Sequence, residues 1–279
     1  MLRTMVTATN TMSQLQSQMD IIGNNLANSN THGYKAKDVK FQELLYQQFN
    51  NDKLDKVDRQ SPVGIRYGVG ASLAQASMNW KQGSLQSTGR DLDFAFQEPK
   101  QYFNVLMPDG ENGQQTAYTR QGAFYVSPME NGNLMLVTGD GYPVADAAGQ
   151  AITIPDNVSS FSVNESGVLT ANYPDGSTVQ RELAVSVLQK PQLMEQLSET
   201  YIALPNNLAE LGVNAQDVII DLQGAERGEI ALTNQVLEMS NVDMSKEMTE
   251  LMTAQRSYQF SARSISIADQ MLGLINGIR

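Results

Sequence analysis

Few side chains in this sequence could do chemistry. His32 is the single histidine and cysteine is absent. These counts exclude a thiolate nucleophile, a disulfide framework, and a zinc site built from cysteine and histidine. A lone imidazole beside Gly33, among turn-forming residues, is typical of a solvated or capping histidine. No site that needs two imidazoles can therefore form.

Three other candidates each have a simpler structural interpretation. Residues 68–70 read Gly-Val-Gly, but the third glycine and the lysine of a phosphate loop do not follow. Asp91 and Asp93 could act as a hydrolytic carboxylate pair, but they alternate with apolar residues and so predict the wet face of a half-buried strand. Asp140 and Asp146 are too sparse for a calcium loop. We expect no catalytic centre, no cofactor and no metal.

The charge of the chain is unevenly distributed. Its 279 residues include 30 acidic and 19 basic ones, a formal net charge of −11. Nucleic-acid binding needs a basic surface, so this balance argues against such a partner. Residues 31–239 hold 25 acidic and 14 basic residues, whereas both ends are neutral. Many neutral ends could pack together without like-charge repulsion. No apolar run approaches the roughly 20 residues of a membrane helix, so membrane insertion is not expected.

The N-terminal segment has the pattern of an amphipathic helix. Its apolar residues recur at alternating spacings of 3 and 4, which is typical of a helix that packs along one stripe of another helix. Its other face is rich in Thr, Ser, Asn and Gln and carries almost no charge. Thr, Ser and Asn are also poor helix formers. The helix should therefore be marginal by itself. The stripe consists of Met5, Ala8, Met12, Leu15, Met19, Ile22 and Leu26.

The C-terminal segment repeats this pattern. Ser240 followed by Asp243 predicts a capping box at the helix start. About 33 residues of helix would span roughly 50 Å. One antiparallel helix pair buries too little surface to order both ends, so we expect further copies of the chain around them; the alternative is an intramolecular two-helix stalk on a monomer. The stripe consists of Met248, Leu251, Gln255, Tyr258, Ala262, Ile265, Ala268, Leu272 and Ile275.

The middle of the chain has the pattern of antiparallel strands. Residues 92–96, 103–107 and 183–187 alternate apolar with other side chains. Asp-Gly or Asn-Gly pairs, which favour hairpins, occur at 109, 131, 140 and 175. The predicted fold class is α+β, with terminal helices that pair as a coiled-coil arm and an antiparallel all-β central domain. The expected boundaries are 1–32 for the N-terminal helix, 33–79 for an extended connector, 80–222 for the β domain and 223–279 for the C-terminal helix.

Motifs spread along the chain resemble those of one known family. Residues 24–35 read N-N-L-A-N-S-N-T-H-G-Y-K, and residues 237–243 read L-E-M-S-N-V-D. E-M, A-Q-R-S-Y and D-Q-M-L follow, and Q-G-S-L and Y-T-R-Q-G-A-F lie in the middle of the chain. Together they resemble the signatures of the bacterial flagellar rod and hook proteins. Residues 97–103 depart from the family, because a proline and two charges stand in place of its G-x-G-F-F element.

The resemblance implies a structural protein and not an enzyme. It implies an axial subunit of the flagellar basal-body rod, most like the distal-rod type, which includes Gram-positive paralogues. Such a subunit would leave the cell through the flagellar type III export apparatus and self-assemble, outside the cytoplasmic membrane, into a helical tube that transmits torque to the hook. It would contact adjacent rod and hook proteins. A hook or proximal-rod paralogue is one alternative, and a cell-wall glycan-binding module is a second.

The expected assembly interface combines the two helix stripes with the motif residues that flank them. It consists of Met5, Ala8, Met12, Leu15, Met19, Ile22, Asn24, Asn25, Leu26, Asn28, Gly33, Tyr34, Leu237, Glu238, Ser240, Asn241, Val242, Asp243, Met248, Leu251, Gln255, Arg256, Tyr258, Ala262, Ile265, Leu272 and Ile275.

Overall fold

A long helix lies at each end of the chain, and mostly antiparallel sheets lie between them. The computed structural model describes residues 2–43, 47–49, 65–67, 71–73, 76–109, 113–205, 208 and 212–277. The helices are α1 (Leu2–Ala27) and α2 (Met244–Gly277). The mixed helix and sheet composition agrees with the predicted α+β class. None of the helices described is long and apolar enough to cross a bilayer.

The strands are short. In chain order they are β1 (Lys37–Asp38), β2 (Phe41–Glu43), β3 (Gln47–Phe49), β4 (Ile65–Tyr67), β5 (Ala71–Leu73), β6 (Ser77–Met78), β7 (Leu85–Ser87), β8 (Phe94–Phe96), β9 (Gln101–Asp109), β10 (Gly113–Thr119), β11 (Phe124–Pro128), β12 (Asn133–Thr138), β13 (Thr153–Pro155), β14 (Ser160–Val163), β15 (Val168–Asn172), β16 (Thr178–Glu182), β17 (Val185–Leu188), β18 (Glu195–Gln196), β19 (Tyr201–Ala203), β20 (Ile219–Asp221), β21 (Leu232–Asn234) and β22 (Val236–Glu238). Short 3-10 helices occur at Pro191–Leu193, Ala215–Asp217 and Gly224–Glu229.

The chain forms two compact units. The first, here called the helical unit, comprises Met1–Ala27, Lys37–Ser77 and Asp243–Arg279, and α1 packs against α2 within it. On α1, the apolar stripe faces inward, with Leu15 and Ile22 buried and the other stripe residues half-buried. Lys37–Ser77, the greater part of the expected connector, also belongs to this unit, where β2 pairs with β5 and β3 with β4. Residues 33–36 and 78–79 belong to the second unit.

The second unit, here called the β unit, comprises Asn28–Ala36 and Met78–Val242. Its largest sheet has six antiparallel strands in the order β18-β19-β10-β9-β17-β20, and two three-stranded sheets follow the orders β11-β12-β13 and β14-β15-β16. The main core is apolar and aromatic; Phe103 lies at its centre, with its ring 4.3 Å from that of Phe96 and 5.0 Å from that of Phe124, centroid to centroid. The turns at Asn131-Gly132 and Asp175-Gly176 connect paired strands as predicted.

Several expectations need correction. The C-terminal helix begins at Met244 and not at residue 223, because residues 232–238 form strands that pair with β8 and β7. The helix cap is Asp243 instead of Ser240, since the Oδ1 of Asp243 accepts the N–H groups of Ser245 at 3.0 Å and Lys246 at 3.2 Å. Residues 68–70, which were considered above as a fragment of a phosphate loop, lie outside the described residues.

Candidate functional site

Glu238 lies at the centre of a buried charge cluster in the β unit. The Nζ of Lys35 lies 2.6 Å from its Oε1 atom. Arg120 contacts its Oε2 atom through Nε at 2.7 Å and Nη2 at 2.5 Å. The backbone N–H of Gly83 donates to Oε1 at 3.1 Å. The three charged side chains are at most 3% exposed, and buried charges persist only where partners and hydrogen bonds replace water.

Lys35 is held on a second side as well. Its Nζ donates a hydrogen bond to the backbone carbonyl of Lys81 at 2.8 Å. Burial lowers the pKa of the Lys35 ammonium; the Glu238 carboxylate opposes this effect, and the Arg120 guanidinium reinforces it. The Glu238 carboxylate therefore favours the protonated, charged form of Lys35, which burial disfavours.

Arg120 completes the cluster from the loop after β10. Its Nη1 donates to the carbonyl oxygens of Glu98 at 2.7 Å and Gln101 at 2.6 Å. Its guanidinium carbon also lies 5.5 Å from the ring centroids of Phe96 and Tyr102, within the range of cation–π attraction. Glu98 and Gln101 both belong to residues 97–103, the segment that departs from the family pattern, and this segment therefore contributes two backbone carbonyls to the cluster.

Two motif glycines permit the backbone to approach this cluster. Gly33 has a φ of +73°, and a Cβ there would lie 2.5 Å from the backbone nitrogen of Gln121. Its N–H donates to the carbonyl of Glu238 at 2.9 Å. A Cβ on Gly83 would lie 1.9 Å from the carbonyl oxygen of Met239. Side chains at these positions would push paired segments apart.

Asn241 connects two further segments of the β unit. Its Oδ1 accepts the N–H of Ala36 at 2.7 Å, while its Nδ2 donates to the carbonyl oxygens of Asn79 at 2.8 Å and Lys81 at 2.9 Å. One amide side chain thus satisfies one backbone donor and two backbone acceptors. Through Asn241, the S-N-V-D part of the C-terminal motif therefore holds both the segment that precedes residues 37–77 and the segment that follows them.

In the helical unit, Asn25 has an equivalent role. Its Oδ1 accepts the N–H of Lys37 at 2.9 Å, and its Nδ2 donates to the carbonyl of Lys37 at 3.0 Å and to the Oε2 of Glu247 at 3.2 Å. Burial raises the pKa of Glu247, and the hydrogen bond from Asn25 opposes this effect. Because Glu247 lies at the start of α2 and Asn25 at the end of α1, the two helices run antiparallel.

Two further residues of the 24–35 motif, Asn28 and Tyr34, lie in the β unit. Asn28 and Tyr34 are buried. The hydroxyl of Thr31 donates to the Oδ1 of Asn28 at 3.0 Å, and the N–H of Thr31 donates to the Asn28 carbonyl at 3.2 Å, which closes the turn after α1. Leu237 and Ser240 are also buried, whereas Val242 is half-buried and Asp243 is exposed.

The C-terminal stripe divides between two sides of α2. Leu251, Tyr258, Ala262, Ile265 and Leu272 are half-buried, and Ala254 and Ala268 are buried. Met248, Gln255, Arg256 and Ile275 are exposed. The inward side is offset from the predicted stripe, because Ala254 and not Gln255 takes the inward position one turn after Leu251. The sequence pattern did not separate these positions because apolar residues occur on both sides of the helix.

Sequence reasoning left Lys35, Arg120 and Glu247 out of the expected interface. The structure brings Lys35 and Arg120 to Glu238, and Glu247 to Asn25. The sequence could have indicated their importance, since each is a charged residue inside a motif that is otherwise apolar, small or amide-rich. The partners themselves can be identified only from the folded structure, because Glu238 is 203 positions from Lys35 and 118 from Arg120 in the sequence.

The residues considered for chemistry are dispersed. His32 is half-buried in its turn. Asp91 is exposed, but Asp93 is buried and its Oδ1 lies 3.1 Å from the Nη1 of Arg90, so the predicted wet face at Asp93 is wrong. The strand is buried on both faces here, and the ion pair with Arg90 compensates the carboxylate. Asp140 accepts the hydroxyl of Tyr201 at 2.8 Å. Within the described ranges, no three His, Asp or Glu side chains group as a metal site.

Comparisons with known proteins match the segments that build these contacts. The model of the flagella basal body rod protein family matches residues 5–35, that of the flagellar hook protein FlgE/F/G D1 domain matches residues 99–171, and that of the flagellar basal body rod FlgEFG protein C-terminal region matches residues 233–278. The hook-basal body complex protein FlhP of Bacillus subtilis is 45% identical over the whole of both chains. The basal-body rod proteins FlgG of Bacillus subtilis and Caulobacter vibrioides are 31% and 33% identical, with 97% or more of each chain covered.

These matches extend from the first helix to the last, and the chain belongs to the family of flagellar hook–basal body rod proteins. Members of this family are structural. The chain is accordingly a structural subunit of the rod and hook–basal body assembly in the flagellum, where it assembles with other rod and hook proteins.

Proposed function

We propose that the chain is an axial rod subunit that self-assembles through its terminal helices into a helical tube and transmits torque to the hook. Within the family it is most like the distal-rod type, including the Gram-positive paralogues. Rod proteins named FlgG match it over nearly their full length. The proposal includes coiled-coil pairing of the terminal helices, passage through the flagellar type III export apparatus, and a final position outside the cytoplasmic membrane.

The exposed apolar face of α2 is the observation that carries the proposal. Phe260 is 74% exposed, Ile267 56% and Leu274 70%. Each lies two positions after a half-buried residue of the inward side, namely Tyr258, Ile265 and Leu272. Two positions correspond to about 200° around a helix, so these three residues project away from the inward side. We call Phe260, Ile267, Met271 and Leu274 the outer stripe.

A helix that is apolar on both sides is usually enclosed by protein. Among the described residues, the helical unit covers one side of α2, and the outer stripe would otherwise present large side chains to water at an energetic cost. The occupant we propose is a helix of a second copy of the chain. The polar face of α1 suits such crowding, because it carries hydroxyl and amide groups and very little charge.

Phe260→Glu tests this proposal, with Phe260→Leu as the matched control. A charge in the middle of the outer stripe should prevent packing between copies, whereas leucine keeps the apolar contact. We expect cells that express the glutamate variant to be non-motile and to lack complete rods in electron micrographs, and cells with the leucine variant to swim. The secreted amount of each variant, measured on immunoblots, separates failed assembly from failed export. Normal rods built from the glutamate variant would contradict the proposal.

A further inference from the structure

The last segment of the β unit pairs with strands from near its beginning. Residues 230–242 follow the other strands of this unit and end it. Within them, β21 pairs with β8 and β22 pairs with β7. We call residues 230–242 the strap. Its Ile230 and Leu232 belong to the main core, and each is at most 4% exposed. The core of the β unit is therefore incomplete until the strap is in place.

Strand β8 depends on the strap for its sheet pairing. The whole of this strand is buried, and among the described strands its sheet partner is β21 alone. Directly after β8, the N–H of Gln97 donates to the carbonyl of Ala231 at 2.8 Å. Next to β7, the carbonyl of Ser84 accepts the N–H of Met239 at 2.8 Å. Without the strap, a buried strand would lose its ladder partner, which is costly in free energy.

The strap also carries the counter-charge of two buried cations. In the ion pairs of the described residues, Glu238 is the acidic partner of both Lys35 and Arg120. If the rest of the β unit closed before the strap docked, both cations would be buried without an anion. Such burial is strongly unfavourable. Core packing, strand pairing and charge compensation therefore all depend on the same last segment.

We propose that docking of the strap controls when the β unit folds, so that the unit closes stably only once residues 230–242 are in place. A chain that emerges with its N-terminus first then stays open until almost the whole β unit has emerged. In the proposed export, this order would keep the chain unfolded during its passage. That consequence rests on the proposed function, whereas the action of the strap does not.

Native-state amide exchange of the full-length chain at increasing urea concentrations tests the proposal. The N–H of Met239 reports on the strap, and the N–H of Leu106, which donates to the carbonyl of Pro143 at 2.9 Å, reports on the six-stranded sheet. If the sheet cannot stay closed without the strap, Met239 should be at least as protected as Leu106, with the same dependence on urea. Weaker protection of Met239 with a smaller urea dependence would show that the strap opens alone, and would overturn the proposal.

Pulse-labelled exchange during refolding of the same chain tests the order of events. We expect Leu106 and Met239 to become protected at the same rate, because closure of the sheet waits for the strap. Protection of Leu106 in a phase that precedes protection of Met239 would also overturn the proposal.

Glu238→Gln extends the native-state test to the charge of the strap. It should lower the protection of Met239 and Leu106 by one common factor of about a hundredfold or more, because both cations lose their counter-charge. A loss at Met239 alone would contradict the proposal. Glu182→Gln, at a half-exposed carboxylate, is the control and should change neither amide more than about fivefold. If the Glu238 variant does not fold, the exchange of the unmodified chain still decides. All of these measurements use the unassembled chain, so failure of the proposed rod assembly or export would leave them unchanged.

Discussion

At the scale of single residues, Glu238 connects parts of the chain that are far apart in sequence. Its carboxylate contacts Lys35 near the N-terminal end and Arg120 in the middle, both inside the β unit. A buried ion cluster of this kind adds little net stability over apolar packing, but removing one member leaves an uncompensated charge. We infer that the cluster specifies which segments pair.

Glu238→Gln should destabilise the β unit by about 3–5 kcal/mol, because Lys35 and Arg120 would lose their counter-charge. The single tryptophan, Trp80, packs against a core cluster of this unit and reports its unfolding by fluorescence. Urea unfolding is the measurement. Glu182→Gln is the control, since Glu182 is half-exposed and 3.7 Å from Arg227, and it should cost less than about 1 kcal/mol. Equal losses for both variants would refute the role of the cluster.

Gly33→Ala should destabilise the β unit more than Gly89→Ala does. Both glycines have φ near +70°, namely +73° and +71°, so both alanines incur backbone strain of about 1–2 kcal/mol. Only at position 33 would the added Cβ meet backbone atoms, and nothing lies within 4 Å of the Cβ at position 89. The same urea unfolding measures both. If the two variants lose equal stability, close backbone approach at Gly33 is not important.

The stability of the helical unit should depend on pH through Glu247. Its pKa is raised in the folded state, so the folded chain holds the proton more tightly than the unfolded chain. The stability contributed by this group is present at acidic pH and lost as the pH rises through the folded pKa. The charged groups around it are Glu250, Lys246 and Asp38.

Glu247→Gln should therefore be more stable than the unmodified chain at pH 7, with a difference that shrinks as the pH falls toward 4.5. Glutamine stays neutral and can still accept the hydrogen bond from Asn25. Thermal unfolding followed by circular dichroism at several pH values measures the difference. Glu226→Gln, at an exposed site in the β unit, should show no such trend. A stability difference that is constant with pH would show that burial of the Glu247 charge does not matter.

At the scale of elements, the helices were more predictable than the strands. Periodicity alone located α1 and its inward stripe, because Leu15 and Ile22 are buried where the pattern placed them. It could not assign the sides of α2, since both carry apolar residues. The length of α2, 34 residues, agrees with the roughly 33 expected from its apolar pattern, although the segment 223–279 assigned to the C-terminal helix began too early.

The site was predictable only in part. Motif resemblance pointed to Asn25, Asn241 and Glu238, but the partners of Glu238 depend on strand pairing over more than 100 positions. Asp93 was misassigned because alternation predicts a half-buried strand, whereas this strand is buried on both faces. Local pattern does not reveal whether a second layer covers a strand.

Amide exchange should show that α1 is weakly protected in the isolated chain. Its fully buried apolar residues are few, namely Leu15 and Ile22 among those described, and its other face has poor helix formers. We expect exchange within residues 2–27 to be fast in dilute monomer and slow in assembled rods. Strands β9 and β10 of the same sample provide the internal reference for protected amides. Strong protection of α1 in dilute monomer would contradict the idea that assembly orders it.

At the scale of the whole molecule, the charge distribution supports a division between assembly and surface roles. The net charge of −11 belongs to residues 31–239, and the terminal helices contribute none of it. In the proposed tube, neutral helices would crowd around the axis without like-charge repulsion, whereas the acidic segments would face water on the outside. The same terminal helices have an uncharged polar face on α1 and an exposed outer stripe on α2.

Electron microscopy of purified hook–basal bodies that carry a tag on this chain tests the central claim most directly. The tag is best inserted in the exposed turn at Asp175-Gly176, away from both helices in sequence. If the chain is an axial subunit of the distal-rod type, labels should lie at many regularly spaced positions along the rod below the hook. Labels confined to the hook, a single label at one end, or none on intact rods would contradict the account.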